Sequence, residues 1–175
     1  MSLNLRSLKL GTLALLALTS LPSAFAAPPP VQGDDATKKT ITDIRNVGTA
    51  MWTWYKDTLA PKRSDAAHKK AETEAEVNSV NISKVPVISR EDLRKILVPK
   101  YIAEIPEKDG WGNPYDFHLE TNNPEATMVM GLRSAGRDGQ FSGDTYEVGA
   151  FAPGETDQDI PWVDGYFVRW PQAKR

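Results

Sequence analysis

Between Ser134 and Gly165 the chain gathers most of the residues that could do chemistry. Asp138, Asp144, Glu147, Glu155, Asp157, Asp159 and Asp164 alternate there with Gly136, Gly139, Gly143, Gly149, Gly154 and Gly165. Carboxylates folded into one loop repel unless a cation or solvent relieves them. Calcium takes about six to eight oxygens, from carboxylates and backbone carbonyls, in a tolerant geometry. Glycines let the backbone turn sharply enough to aim those carbonyls. The composition therefore suits a hard cation. A solvated, turn-rich loop has the same composition, and composition alone favours that reading. No EF-hand series is present, and with no cysteine and two isolated histidines a zinc site has few ligands. Clustered carboxylates can also act as a general acid and base, as in glycoside hydrolysis. No G-x-S-x-G, H-E-x-x-H or P-loop pattern accompanies them, so a non-enzymatic role is expected. Phe141, Tyr146, Val148, Phe151 and Trp162 lie in the same stretch. They call for burial, which separates it from a disordered linker, and a loop of this length in a compact domain usually has a function.

The elements that would hold this loop can be read from periodicity. From Thr37 to Leu59, Ile41, Ile44, Val47, Met51, Tyr55 and Leu59 recur at steps of three and four, which predicts an amphipathic helix ended by Pro61. Trp52 and Trp54 lie off that stripe and are expected to widen its buried face. Pro61 to Ser83 is charged and alanine-rich, and reads as a mobile excursion with His68 exposed. Ser89-Arg90-Glu91-Asp92 opens a short helical turn carrying Leu93, Ile96 and Leu97. Tyr101, Ile102 and Ile105 are expected to pack on the first helix.

After Pro114 the period changes to two. Tyr115, Phe117 and Leu119 alternate with Asp116, His118 and Glu120, and Thr127 to Ser134 carries Met128, Met130 and Leu132 on one face. These predict a hairpin with His118 on a solvent face. Tyr166 to Trp170 is expected to add a third strand. The predicted class is α+β: a long N-terminal amphipathic helix packed on a small antiparallel sheet, closed by a long loop.

Arg6 and Lys9, the short apolar run Leu10 to Leu21, and Ala24-Phe25-Ala26 form the pattern of a secretory signal peptide over residues 1–26. The run is shorter and more interrupted than the roughly 20 apolar residues of a spanning helix. Residues 27–36, opening on Pro28-Pro29-Pro30, read as a flexible leader. Residues 37–175 are expected to form one domain, periplasmic or extracellular and without disulfides. The net charge of −2 falls further when Arg6 and Lys9 are removed, which argues against a nucleic-acid partner.

Asp109-Gly110-Trp111-Gly112-Asn113-Pro114-Tyr115, followed by Ser134-Ala135-Gly136-Arg137-Asp138-Gly139, resembles the C-terminal domain of the major pseudopilin of bacterial type II secretion. Thr42-Asp43-Ile44-Arg45, Tyr101 to Pro106 and Asp157-Gln158-Asp159-Ile160 match the same family in the same order, so the likeness covers most of Thr37 to Trp170. It implies a pilin-like C-terminal domain with a structural calcium ion. The positions it assigns to the metal are Asp138, Asp157 and Asp159, with carbonyls from Ala135 and Gln140. It implies a structural turn at Trp111, Gly112, Asn113 and Pro114, and protein partners in a secretion or pilus-like machine of the cell envelope. The chain departs from the family in three ways, one of them the charged excursion from Pro61 to Ser83, which is longer than the family's. It also lacks the prepilin peptidase pattern with its long apolar helix, and Phe141 to Pro153 lengthens the loop.

Overall fold

The computed structural model describes residues 35–67 and 78–172. The signal peptide, residues 27–34 of the leader, His68 and the centre of the charged excursion lie outside these residues. The first element is a helix, α1 (Asp35–Thr58). Ile41, Ile44, Val47, Met51 and Tyr55 form its buried stripe, as the spacing predicts. Thr40, Thr42, Thr49, Thr53 and Thr58 each donate a side-chain hydrogen bond to the carbonyl four residues earlier, which keeps these hydroxyls satisfied on the helix. Pro61 lies in a 3-10 turn, Ala60–Lys62, that ends the run. A second helix, α2 (Arg90–Leu97), is capped by Ser89, whose Oγ accepts from the Asp92 amide at 3.0 Å and donates to the Asp92 carboxylate at 2.7 Å. Leu93 and Leu97 bury its apolar side.

Among the described residues eight strands follow in chain order: β1 (Ser79–Asn81), β2 (Asp116–Leu119), β3 (Met130–Ser134), β4 (Thr145–Glu147), β5 (Gly149–Phe151), β6 (Ile160–Val163), β7 (Tyr166–Phe167) and β8 (Arg169–Pro171). The main sheet is antiparallel in the order β2-β3-β6-β7, with Phe117 opposite Leu132 and Leu132 opposite Trp162. β1 and β4 form a separate antiparallel pair, and β5 and β8 a parallel pair. The predicted hairpin is therefore present as β2 and β3. The stretch from Ser134 to Gly165 is not one long loop, because it contains β4, β5 and β6. The expected third strand breaks at Val168: β7 pairs with β6, while β8 leaves to pair with β5.

One face of the main sheet packs on α1. Phe117, Leu119, Met130, Leu132, Ile160, Trp162 and Phe167 join the helix stripe in the principal core. Contact is close at Gly48, where any Cβ would meet the Trp162 indole at 2.8 Å. The opposite face is covered as well. Val80, Ile82, Tyr146, Val163 and Val168 make a second, smaller core under β1 and β4, and Gly131 leaves room for Ile82, whose Cδ1 a Cβ would meet at 2.9 Å. Residues 78–83, read from the sequence as the end of a mobile excursion, thus supply a strand, a 3-10 turn and two core side chains. Alternation along a strand shows which residues share a face. It does not show whether that face meets water, and here both faces are covered.

This second layer corrects the expectation for His118. The side chain is 2% exposed, with Nδ1 2.8 Å from the Val85 carbonyl and Nε2 3.0 Å from Asp116 Oδ2. It belongs to the polar floor of the smaller core.

Candidate functional site

Two sets of residues meet at one end of the sheet: the Asp109–Tyr115 turn and the two ends of the acidic stretch. Asp109 is buried and organises the turn. Its Oδ1 accepts from the amides of Trp111 and Asn113, each at 2.9 Å, while its Oδ2 accepts from Ser134 Oγ at 2.6 Å. Ser134 Oγ in turn accepts from the Gly136 amide at 3.1 Å. Gly110 lies so close to the Ala36 backbone that no Cβ could be placed there, and its amide donates to Thr40 Oγ1. The turn is therefore held on the first turns of α1. Gly112 has φ 93°, a conformation that suits glycine. Trp111 packs at the margin of the main core.

The ends of the acidic stretch are also fastened together. The Arg137 amide donates to the Thr156 carbonyl at 2.8 Å. Gly136 has φ 68°, and a Cβ there would meet the Thr156 carbonyl oxygen at 2.6 Å. The Arg137 guanidinium bonds both carboxylate oxygens of Asp157, at 2.8 and 3.0 Å. Asp138 is exposed and its Oδ1 accepts from the Gln140 amide, a tight local turn. Ala135 is buried and Gln140 exposed.

Asp159 is different. It is 3% exposed. Its Oδ2 accepts from the Ser142 amide, Ser142 Oγ and Tyr146 Oη, at 2.8 to 2.9 Å. Its Oδ1 is buried and has no hydrogen-bond partner among the described residues. A buried, unpartnered carboxylate oxygen is costly unless a cation or donor completes it. The three sequence-selected carboxylates are thus close along one pair of fastened segments but do not converge. Among the described residues no group of three acidic, histidine or cysteine side chains is arranged to hold a metal. Asp157 is engaged by Arg137 and Asp138 by its own turn. The feature that fits a hard cation is the buried, unpartnered Asp159 Oδ1.

Sequence reasoning passed over Arg133, which holds the lengthened part of this stretch on the sheet. It is 7% exposed and saturated with acceptors. Nε donates to Asp116 Oδ2 at 2.8 Å, and Nη1 to the Gly143 carbonyl and Tyr146 Oη at 2.8 and 2.9 Å. Nη2 lies 3.0 Å from Asp144 Oδ1. The Phe141 ring lies over the guanidinium, 4.1 Å from its centroid. Burial alone would raise the Asp116 carboxyl, but hydrogen bonds and charge from His118 and Arg133 outweigh it and hold the group below the usual carboxylate range. Burial, then the Asp159 charge, pushes the Tyr146 hydroxyl well above the ordinary tyrosine range, so it remains a donor to Asp159. The available signal was an arginine in the sequence Met130-Gly131-Leu132-Arg133, on the strand face opposite Met130 and Leu132.

Among the described residues no helix is long and apolar enough to cross a membrane. In comparisons with known proteins, the chain matches no protein-family model, no curated protein and no solved structure.

Proposed function

We propose that this chain is an exported, non-enzymatic module of pseudopilin-like design, stabilised by calcium and acting through protein–protein contacts at the bacterial cell envelope. The observation that carries the calcium reading is the buried Asp159 carboxylate, fixed through one oxygen and unpartnered at the other. In this reading Asp159 holds the ion, Asp138 and Asp157 are the further carboxylates, and Ala135 and Gln140 supply carbonyl oxygens. Bound calcium would neutralise the acidic stretch and fix its two ends, a structural role. The likeness of the Asp109–Tyr115 and Ser134–Gly139 motifs to the pseudopilin pattern supports this assignment, as does the α+β arrangement of a long helix on an antiparallel sheet.

Partners in a type II secretion or pilus-like machine are part of the same reading. A second reading, a free-standing secreted binding protein with this fold, is favoured by one observation. Lys38, Thr42, Arg45, Asn46, Thr49, Thr53 and Lys56 are all exposed on α1. The outward side of the helix over these residues is polar and gives a packed helical filament core no apolar seam.

Calorimetric titration with calcium tests the first reading. One ion per chain is expected, with binding lost in Asp159→Asn, which keeps the shape and the acceptor for Ser142 and Tyr146. Glu147→Gln, an exposed position on β4, should leave binding unchanged. Equal affinity in Asp159→Asn and the unmodified chain would remove Asp159 as a ligand.

A further inference from the structure

We infer that Asn113 is a positioning residue for the proposed calcium loop, setting the relative placement of its two ends through a single peptide plane; this rests on the calcium reading above. The Asn113 side chain touches the loop twice. Its Nδ2 donates to the Gly136 carbonyl at 2.7 Å. Its Oδ1 lies against Gly139, where a Cβ would come within 2.9 Å of it. The backbone of Asn113 is itself fixed: its amide donates to Asp109 Oδ1, and its carbonyl accepts from the Asp109 amide at 2.8 Å. Asn113 is therefore a rigid arm from the turn, and the loop rests on it.

The planarity of the peptide bond makes that contact consequential. In a trans peptide the carbonyl and the following N–H point in opposite directions. Asn113 holds the Gly136 carbonyl, so the Arg137 N–H of the same plane must point away from Asn113. There it donates to the Thr156 carbonyl. One plane thus joins Asn113 on one side to the second end of the loop on the other. The plane before it is fixed by the same logic. The Gly136 N–H is bound to Ser134 Oγ, which is bound to Asp109, so the Ala135 carbonyl points away from the Asp109 cluster. The turn motif and the loop motif, separated in sequence, act as one device: the first sets the direction in which the second presents its carbonyls.

Groups that orient metal ligands without touching the metal typically change affinity by about 10- to 100-fold when removed. Calcium titration of the full chain should therefore show at least a tenfold weaker Kd for Asn113→Ala. Asn113→Asp, nearly isosteric but without the Nδ2 donor, should fall in the same range and carries the test if the alanine variant does not fold. Gly139→Ala should weaken binding from the other side of the contact. Gly48→Ala, which strains the distant contact of α1 with Trp162, should lower the melting temperature without changing the Kd. Variants of Asn113 that lower the melting temperature yet bind calcium like the unmodified chain would overturn the positioning role while leaving the calcium reading intact. An unmodified chain that binds no calcium would overturn both.

Discussion

At the scale of single residues, Arg133 and Asp164 lead to opposite expectations. Arg133 is a buried cation with its hydrogen bonds met by Asp116, Tyr146, Asp144 and the Gly143 carbonyl. Removing one partner of such a network leaves the others uncompensated and costs roughly 3–5 kcal/mol. Arg133→Ala should lose stability on that scale in denaturant titrations, and limited proteolysis should then cut between Arg137 and Thr145. Asp164 carries a charge that the fold tolerates poorly. Its Oδ1 accepts from the Val129 and Met130 amides, but burial outweighs those bonds and raises its pKa to about 6. An acid whose pKa is raised on folding contributes stability that is fully present below its unfolded value. That contribution is lost as pH rises through the folded value. For Asp164 the window runs from the ordinary aspartate value of 3.8 to about 6. Asp164→Asn keeps both acceptor bonds and tolerates the φ of 46°. It is expected to be more stable than the unmodified chain at pH 7.5, by up to about 3 kcal/mol, for a rise of about two pKa units at about 1.4 kcal/mol per unit. The advantage should vanish near pH 4. Parallel melting curves for the two proteins at those pH values would contradict the account.

At the scale of elements, the close fit between α1 and the sheet is concentrated at Gly48. Alanine favours a helix interior over glycine by about 1 kcal/mol, yet the Trp162 indole occupies the space its methyl would need. Overpacking of this kind costs about 1–3 kcal/mol, so Gly48→Ala should come out destabilising by about 1 kcal/mol in urea titrations. A more stable variant would mean that Trp162 moves aside freely. The helix and the β2–β3 hairpin were legible in the sequence because their apolar residues repeat over several turns or several alternations. The strands of the acidic stretch were not, since β4, β5 and β7 have only two or three residues each and offer no period to read. One signal was present: Asp164-Gly165 is a two-residue hairpin pair between β6 and β7, both with positive φ, as a type I′ turn requires. The exposed assignment of His118 failed because alternation is silent about a second covering layer. That layer comes from Val80, Ile82 and Val85, three apolar residues in an otherwise polar stretch.

At the scale of the whole molecule, a long helix packs on a sheet, and two polar networks tie the acidic stretch to that frame. The His118–Asp116–Arg133–Tyr146 chain fastens the lengthened segment, and the Asp109–Asn113–Ser134 cluster fastens the loop ends. The resemblance to the pseudopilin pattern pointed to Asp138, Asp157 and Asp159 among the carboxylates of the stretch. It could not show that Arg137 would engage Asp157, or that Tyr146 and Ser142 would fix Asp159, because those partners are 13 to 20 residues away in sequence and meet only in the fold. The central claim is that the acidic stretch is completed by calcium, and thermal melting of the chain in excess chelator and then in millimolar calcium tests it most directly. Binding to the folded state alone, at about 100 times the dissociation constant, adds about 2.7 kcal/mol. A clear calcium-dependent rise in Tm that is lost in Asp159→Asn is the predicted result. Superimposable melts with and without calcium would contradict it, and would leave the stretch held by Arg133, Tyr146 and its own aromatic packing.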